Sequence, residues 1–124
     1  MPKVLVVAEH SQGKLNPNIL NCIDAANQVI NKSEKSAESF IDVLVATEPG
    51  EQSIGAAAAK IPGVRRVLVR QAPVFSHLLA EPLANVIADV VKSGGYDYIL
   101  AAASAFGKNV IPRAAGILES QPIG

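Results

Sequence analysis

Val4 to Ala8 (VLVVA) is an unbroken run of apolar, mostly β-branched residues, and it constrains the fold more than any other feature of the chain. A strand that alternates apolar and polar residues can face water on one side. A strand apolar at every position must be covered on both faces, the condition of a central strand in a parallel sheet. Three further strands are expected at Ile41 to Ala46, Arg66 to Arg70 (RVLVR) and Tyr98 to Ala102 (YILAA).

Helical spacing fills the intervals. Ile19, Leu20, Ile23, Ala26 and Ile30 outline the apolar face of a first helix, with Asn16 as its cap and Pro17 in the first position, where a missing N–H loses nothing. Cys22 falls on the polar side of that helix, between Asn21 and Ile23, and reads as structural. Ser33 to Ser39 (SEKSAES) is a solvated connector. Ser53 to Ile61 is mostly alanine, with Ile54, Ala57, Ala58 and Ile61 on a packed face, and Pro62 and Gly63 end it. Glu81 and Pro82 open a third helix whose Leu83, Val86, Ile87, Val90 and Val91 oppose Asn85, Asp89 and Lys92; Gly94 and Gly95 stop it. Ile111, Ala114, Ala115 and Leu118 outline a fourth. Strands alternating with helices predict right-handed βαβ crossovers, hence a three-layer α/β/α domain with a parallel sheet.

A length of 124 residues allows one domain, and area scaling lets it bury about two thirds of its surface without staples. Eleven basic residues balance eleven acidic ones, which argues against an electrostatic grip on nucleic acid or anionic lipid. One cysteine permits neither an internal disulfide nor a thiolate metal site. No apolar run reaches the eighteen or so residues of a membrane span.

In a doubly wound sheet the working loops lie at the carboxyl ends of the strands, near the point where strand order reverses. If the order is 3-2-1-4, two loops face one crevice. The first carries Glu9 and His10; the second carries Ser104, Phe106, Gly107, Lys108 and Asn109, with Arg113 in the helix that follows. The second loop can present backbone N–H groups and the Lys108 charge to an anion or a partner, or be a tight turn with an exposed lysine. Arg113 is the wrong charge for its end of the helix dipole, which an interface contact or solvent exposure would explain. His10 is a candidate base or switch, or a loop hydrogen bonder.

Several chemistries fail on spacing. A P-loop would need glycine at Ala102 and a hydroxyl at Asn109, and a dinucleotide fingerprint would need three glycines where the first loop has only Gly13. Ser104 lacks the flanking glycines of a hydrolase elbow, and no histidine follows it. His77 has no second ligand at metal-site spacing. No catalytic constellation emerges.

The segments VLVVAEH, Asn16–Pro17, Ile61 to Val69 (IPGVRRVLV) and Ala103 to Leu118 (ASAFGKNVIPRAAGIL) resemble, in order and spacing, the N-terminal domain of the alpha-subunit family of electron transfer flavoproteins. The resemblance covers essentially the whole chain and is weakest near Ser33 to Ser39. It implies an adenine-nucleotide alpha hydrolase-like domain of strand order 3-2-1-4(-5). It also implies a heterodimeric carrier, not an enzyme, whose FAD shuttles electrons in fatty acid β-oxidation from acyl-CoA dehydrogenases and other flavoprotein dehydrogenases to a quinone reductase. In such carriers the alpha subunit's FAD lies mainly in a C-terminal domain and a structural AMP belongs to the beta subunit. This stretch is therefore expected to bind no cofactor and to serve as scaffold and contact for the beta subunit. The implied location is the mitochondrial matrix in a eukaryote and the cytoplasm in a bacterium. The alternative is a free-standing AMP- or ATP-binding module of the same fold.

Residues 1–124 are thus expected to form most of one such domain, incomplete at the C-terminus. Ending at Gly124 would leave the fourth strand as an apolar edge, open to self-association or to docking on a partner.

Overall fold

A computed structural model describes residues 3–11, 14–32, 39–50, 52–73, 75 and 80–101. The elements are β1 (Lys3–Val7), β2 (His10–Ser11), β3 (Lys14–Leu15), α1 (Ile19–Asn31), β4 (Phe40–Thr47), α2 (Gln52–Ala59), β5 (Val64–Gln71), α3 (Ala80–Gly94) and β6 (Tyr98–Leu100). β1, β4, β5 and β6 form one parallel sheet in the order β5-β4-β1-β6, and β2 and β3 pair antiparallel as a separate hairpin. Counting the sheet strands alone, this is 3-2-1-4, the order that the family resemblance implies for the first four strands.

The central position of β1 follows from its composition. Val4, Val6 and Ala8 pack with Ile19, Cys22, Ile23 and Ala26 of α1 and with Ile54 and Ala58 of α2. Leu5 and Val7 face the other way, against Leu83, Ala84, Ile87 and Val90 of α3. Two helices therefore cover one face and the third covers the opposite face, as right-handed crossovers require. Leu5, Ile41, Leu44, Ile54, Leu83 and Ile87 are fully buried, and each such side chain contributes about 1.5–3 kcal/mol of transfer free energy.

The helix starts and stops have local causes. The Asn16 side-chain oxygen accepts the Asn18 N–H at 3.0 Å, but the residue at the cap position of α1 is Asn18, not the expected Asn16. The Asn16 and Pro17 carbonyls bond to Ile19 and Leu20 in a tight first turn, and the regular helix begins two residues later than the cap-and-proline pair predicts. Gly95 adopts φ +66 and its N–H closes on the Val91 carbonyl at 2.9 Å, ending α3 at the glycine pair as expected.

Three expectations on helix faces are corrected. Cys22 lies in the core, not on the polar side of α1, while Leu20 is 52% exposed; the buried stripe runs through 19, 22, 23 and 26. Ala57 is exposed whereas Ala58 is buried, so α2 docks through Ile54, Gly55 and Ala58. The third strand is longer than Arg66 to Arg70 by residues at both ends. The expected fourth helix, the fifth strand, Ala102 and residues 33–38 of the polar connector lie outside the described residues.

Candidate functional site

β1 pairs with β4 on one side and with β6 on the other, so the switch point lies between β1 and β6, with Val4 opposite Tyr98 and Val6 opposite Leu100. Past its carboxyl end the segment expected as the first loop carries β2 and β3. It makes a hairpin in which His10 pairs with Leu15 and Ser11 with Lys14, and the Asn16 N–H closes on the Glu9 carbonyl at 2.8 Å.

The hairpin fixes both sequence-predicted residues of this loop. His10 is only 7% exposed, and its Nε2 lies 2.6 Å from the Ala46 carbonyl oxygen at the end of β4. That contact requires the proton on Nε2, so the imidazole ties the carboxyl ends of β1 and β4 together. The Glu9 carboxylate accepts the Asn18 side-chain N–H at 2.8 Å, joining the strand end to the start of α1. His10 and Glu9 thus meet at the crevice side of the sheet, each engaged within the protein. Beside them Thr47 is fully buried, with no hydrogen-bond partner for its hydroxyl among the described residues. Ser104, Phe106, Gly107, Lys108, Asn109 and Arg113, expected to face the same crevice, lie outside the described residues.

At the opposite, amino end of the sheet stands a polar cluster that sequence reasoning missed. Asp42 is fully buried on β4. Its Oδ1 accepts Arg65 Nε at 3.0 Å. Its Oδ2 accepts Arg65 Nη2 at 2.7 Å, Arg66 Nε at 3.0 Å and the Tyr96 hydroxyl at 2.6 Å. Consecutive strand residues ordinarily point to opposite faces. Here the ladder shifts: Ile41 pairs with Val64 but Asp42 with Arg66. Arg65 is the extra residue of a bulge, and the bulge aims both guanidinium groups at one carboxylate. The Arg65 Cζ lies 3.4 Å from the Phe40 ring centroid, and Phe40 meets Tyr96 edge-on at 6.2 Å.

Burial pushes the Asp42 carboxyl up, but hydrogen bonds from Arg65, Tyr96 and Arg66 outweigh it and hold the group below the usual carboxylate range. The Tyr96 phenol is pushed up, first by burial and then by its hydrogen bond to Asp42. Burial also raises the Cys22 thiol, and the Glu9 charge adds to the effect. Cys22 is therefore a neutral core residue. The one sequence signal for the cluster was a lone aspartate inside the apolar run Ile41 to Ala46.

The first loop is closed as a hairpin, and its imidazole and carboxylate already have partners, so no chemical step is assigned to them. Among the described residues no group of three or more His, Cys, Asp or Glu side chains is placed to hold a metal ion. No helix among them is long and apolar enough to cross a membrane.

Comparison with known proteins gives one consistent family. Residues 4–124 match the family model of the electron transfer flavoprotein domain. The chain is 38% identical over 120 residues to the mitochondrial electron transfer flavoprotein subunit alpha of Oryza sativa subsp. indica, covering 96% of this chain and 32% of the relative. It is 37% identical over 120 residues to the subunit alpha of Pseudomonas aeruginosa, covering 97% and 35%. It is 40% identical over 119 residues to the probable mitochondrial subunit alpha of Caenorhabditis elegans, covering 96% and 33%. The chain spans about a third of the length of these curated relatives.

Proposed function

Since the chain belongs to the electron transfer flavoprotein domain family, we propose that it is the N-terminal part of an alpha subunit, one half of a heterodimeric flavin-containing electron carrier. The observation that carries this reading is the correspondence to alpha subunits along nearly the whole chain, in plant, animal and bacterial proteins alike. The carrier takes electrons from acyl-CoA dehydrogenases and related flavoprotein dehydrogenases and passes them to a quinone reductase. Within it this domain is scaffold and beta-subunit contact, and FAD is held by other parts of the heterodimer. The hydrogen bonds that already engage His10 and Glu9 support that division. The site of action is the mitochondrial matrix if the gene is eukaryotic and the cytoplasm if it is bacterial.

Co-expression of the full-length polypeptide with the beta subunit from the same genome tests the reading. The expected result is a one-to-one complex that elutes as a single species and carries flavin absorbance, while residues 1–124 alone are colourless. Failure of the subunits to associate would overturn the carrier assignment. Stoichiometric flavin on residues 1–124 alone would overturn the scaffold role.

A further inference from the structure

β5 has the composition of an edge that attracts another strand. It is eight residues long, contains neither proline nor glycine, and among the described residues pairs with β4 alone. Its middle, Val67 to Val69, is apolar, and Val69 is 37% exposed. An edge strand of this kind presents a row of backbone N–H and C=O groups to which a further strand can add.

The flanking residues oppose that addition. Arg65 and Arg66 precede the apolar triplet, Arg70 follows it, and the strand holds no acidic residue. Arg65 is the extra residue of the bulge, which breaks the regular spacing of the ladder at the amino end. At the carboxyl end Arg70 Nη1 donates to the Val69 carbonyl at 3.3 Å in an exposed contact, so the guanidinium lies along the strand beside the exposed valine. Charged side chains and bulges are the means by which sheet proteins keep an edge from pairing, and charges flanking an unavoidable apolar run have the same effect.

A second copy of this chain is the partner for which the residues on both sides of the pairing are known. Two β5 strands related by a two-fold axis meet antiparallel. The register that pairs all eight residues sets Val64 against Gln71, Arg65 against Arg70, Arg66 against Val69 and Val67 against Leu68. The Arg65–Arg70 apposition then occurs twice, and like charges directly opposite destabilise a strand pair. Slipping the register to separate them leaves end residues unpaired and keeps the three arginines of each copy on the joined edge.

We infer that Arg65, Arg66 and Arg70 guard the β5 edge against pairing with a second copy of this chain. Arg65 and Arg66 do so while also holding Asp42; Arg70, outside that cluster, guards the carboxyl half. The inference does not depend on the heterodimer reading.

The test follows hydrogen exchange of the β5 peptide by mass spectrometry in the full-length polypeptide at rising protein concentration, with sedimentation velocity on the same samples. In wild type, β5 protection should not change with concentration. Arg70→Gln removes the charge and keeps the position polar; it should strengthen self-association about tenfold and make β5 protection rise with concentration. Arg70→Glu sets an acidic side chain opposite Arg65 in both halves of the pair and should strengthen association further, although it too is charged. Lys92→Gln removes a cation from the last turn of α3 and should behave as wild type. Arg70 and Lys92 are exposed and lie outside the Asp42 cluster, so these variants keep the fold. Concentration-dependent protection of β5 in wild type overturns the inference, as does wild-type behaviour of both Arg70 variants. Equal association in Arg70→Gln and Lys92→Gln also overturns it, because loss of any cation would then suffice. Association of the Arg70 variants with β5 protection unchanged puts the contact elsewhere and overturns it as well.

Discussion

Asp42 is one carboxylate on which four hydrogen bonds converge. Because these bonds hold its pKa below that of the unfolded chain, its stabilisation is complete above the unfolded carboxylate pKa of about 3.9 and is lost as pH falls through the lower folded value. Asp42→Asn keeps the shape but removes the charge. With the arginines partly exposed and screened, it should cost about 1–3 kcal/mol at pH 7. The gap to wild type should narrow progressively below about pH 4; urea unfolding at pH 7, 4 and 3 checks this, and a pH-independent gap would refute it. The aspartate itself was legible in the sequence as a charge within a strand apolar on both sides. Its partners were not, because Arg65, Arg66 and Tyr96 lie 23, 24 and 54 positions away and nothing local couples them. His10 behaves alike: its place at the end of β1 was legible, whereas its bond to a carbonyl 36 residues on was not.

At the scale of elements, apolar runs and turn residues located the four parallel strands and the three described helices. The faces were less legible where residues carry little contrast. In α1, a cysteine flanked by Asn21 and Ile23 reads equally well as either face, and packing against β1 placed it inside. In α2, Ala56 to Ala59 offer no amphipathic signal, so contact with the sheet chose Ala58 and left Ala57 outside. Ala58→Leu should therefore overpack the α2–sheet contact and cost about 1–3 kcal/mol, while Ala57→Leu should stay within about 0.5 kcal/mol of wild type. Thermal or chemical melts of the two variants decide the matter, and equal effects would refute the assigned face. The β2–β3 hairpin was hidden because two-residue strands have no period to detect.

For the whole molecule, the two-sided burial of β1 and β4 and the edge position of β5 set a gradient of local stability. Amides of Val6, Val43 and Val45 should exchange with solvent at least about tenfold more slowly than those of Val67 and Val69. Hydrogen exchange followed by NMR measures this directly; uniform protection across β5 and β4 would contradict the order seen. The sequence by itself determined the class of fold and the family, because period, branched apolar runs and short motifs are local properties that each segment carries alone. It also excluded phosphate-loop and dinucleotide chemistry, since those sites need particular residues at fixed spacing. Only the tertiary structure decided that a bulge turns two adjacent arginines onto one buried carboxylate, and that an imidazole closes the mouth of the first strand. Both arrangements join residues distant in the chain, and their geometry exists only once the sheet has brought those strands side by side.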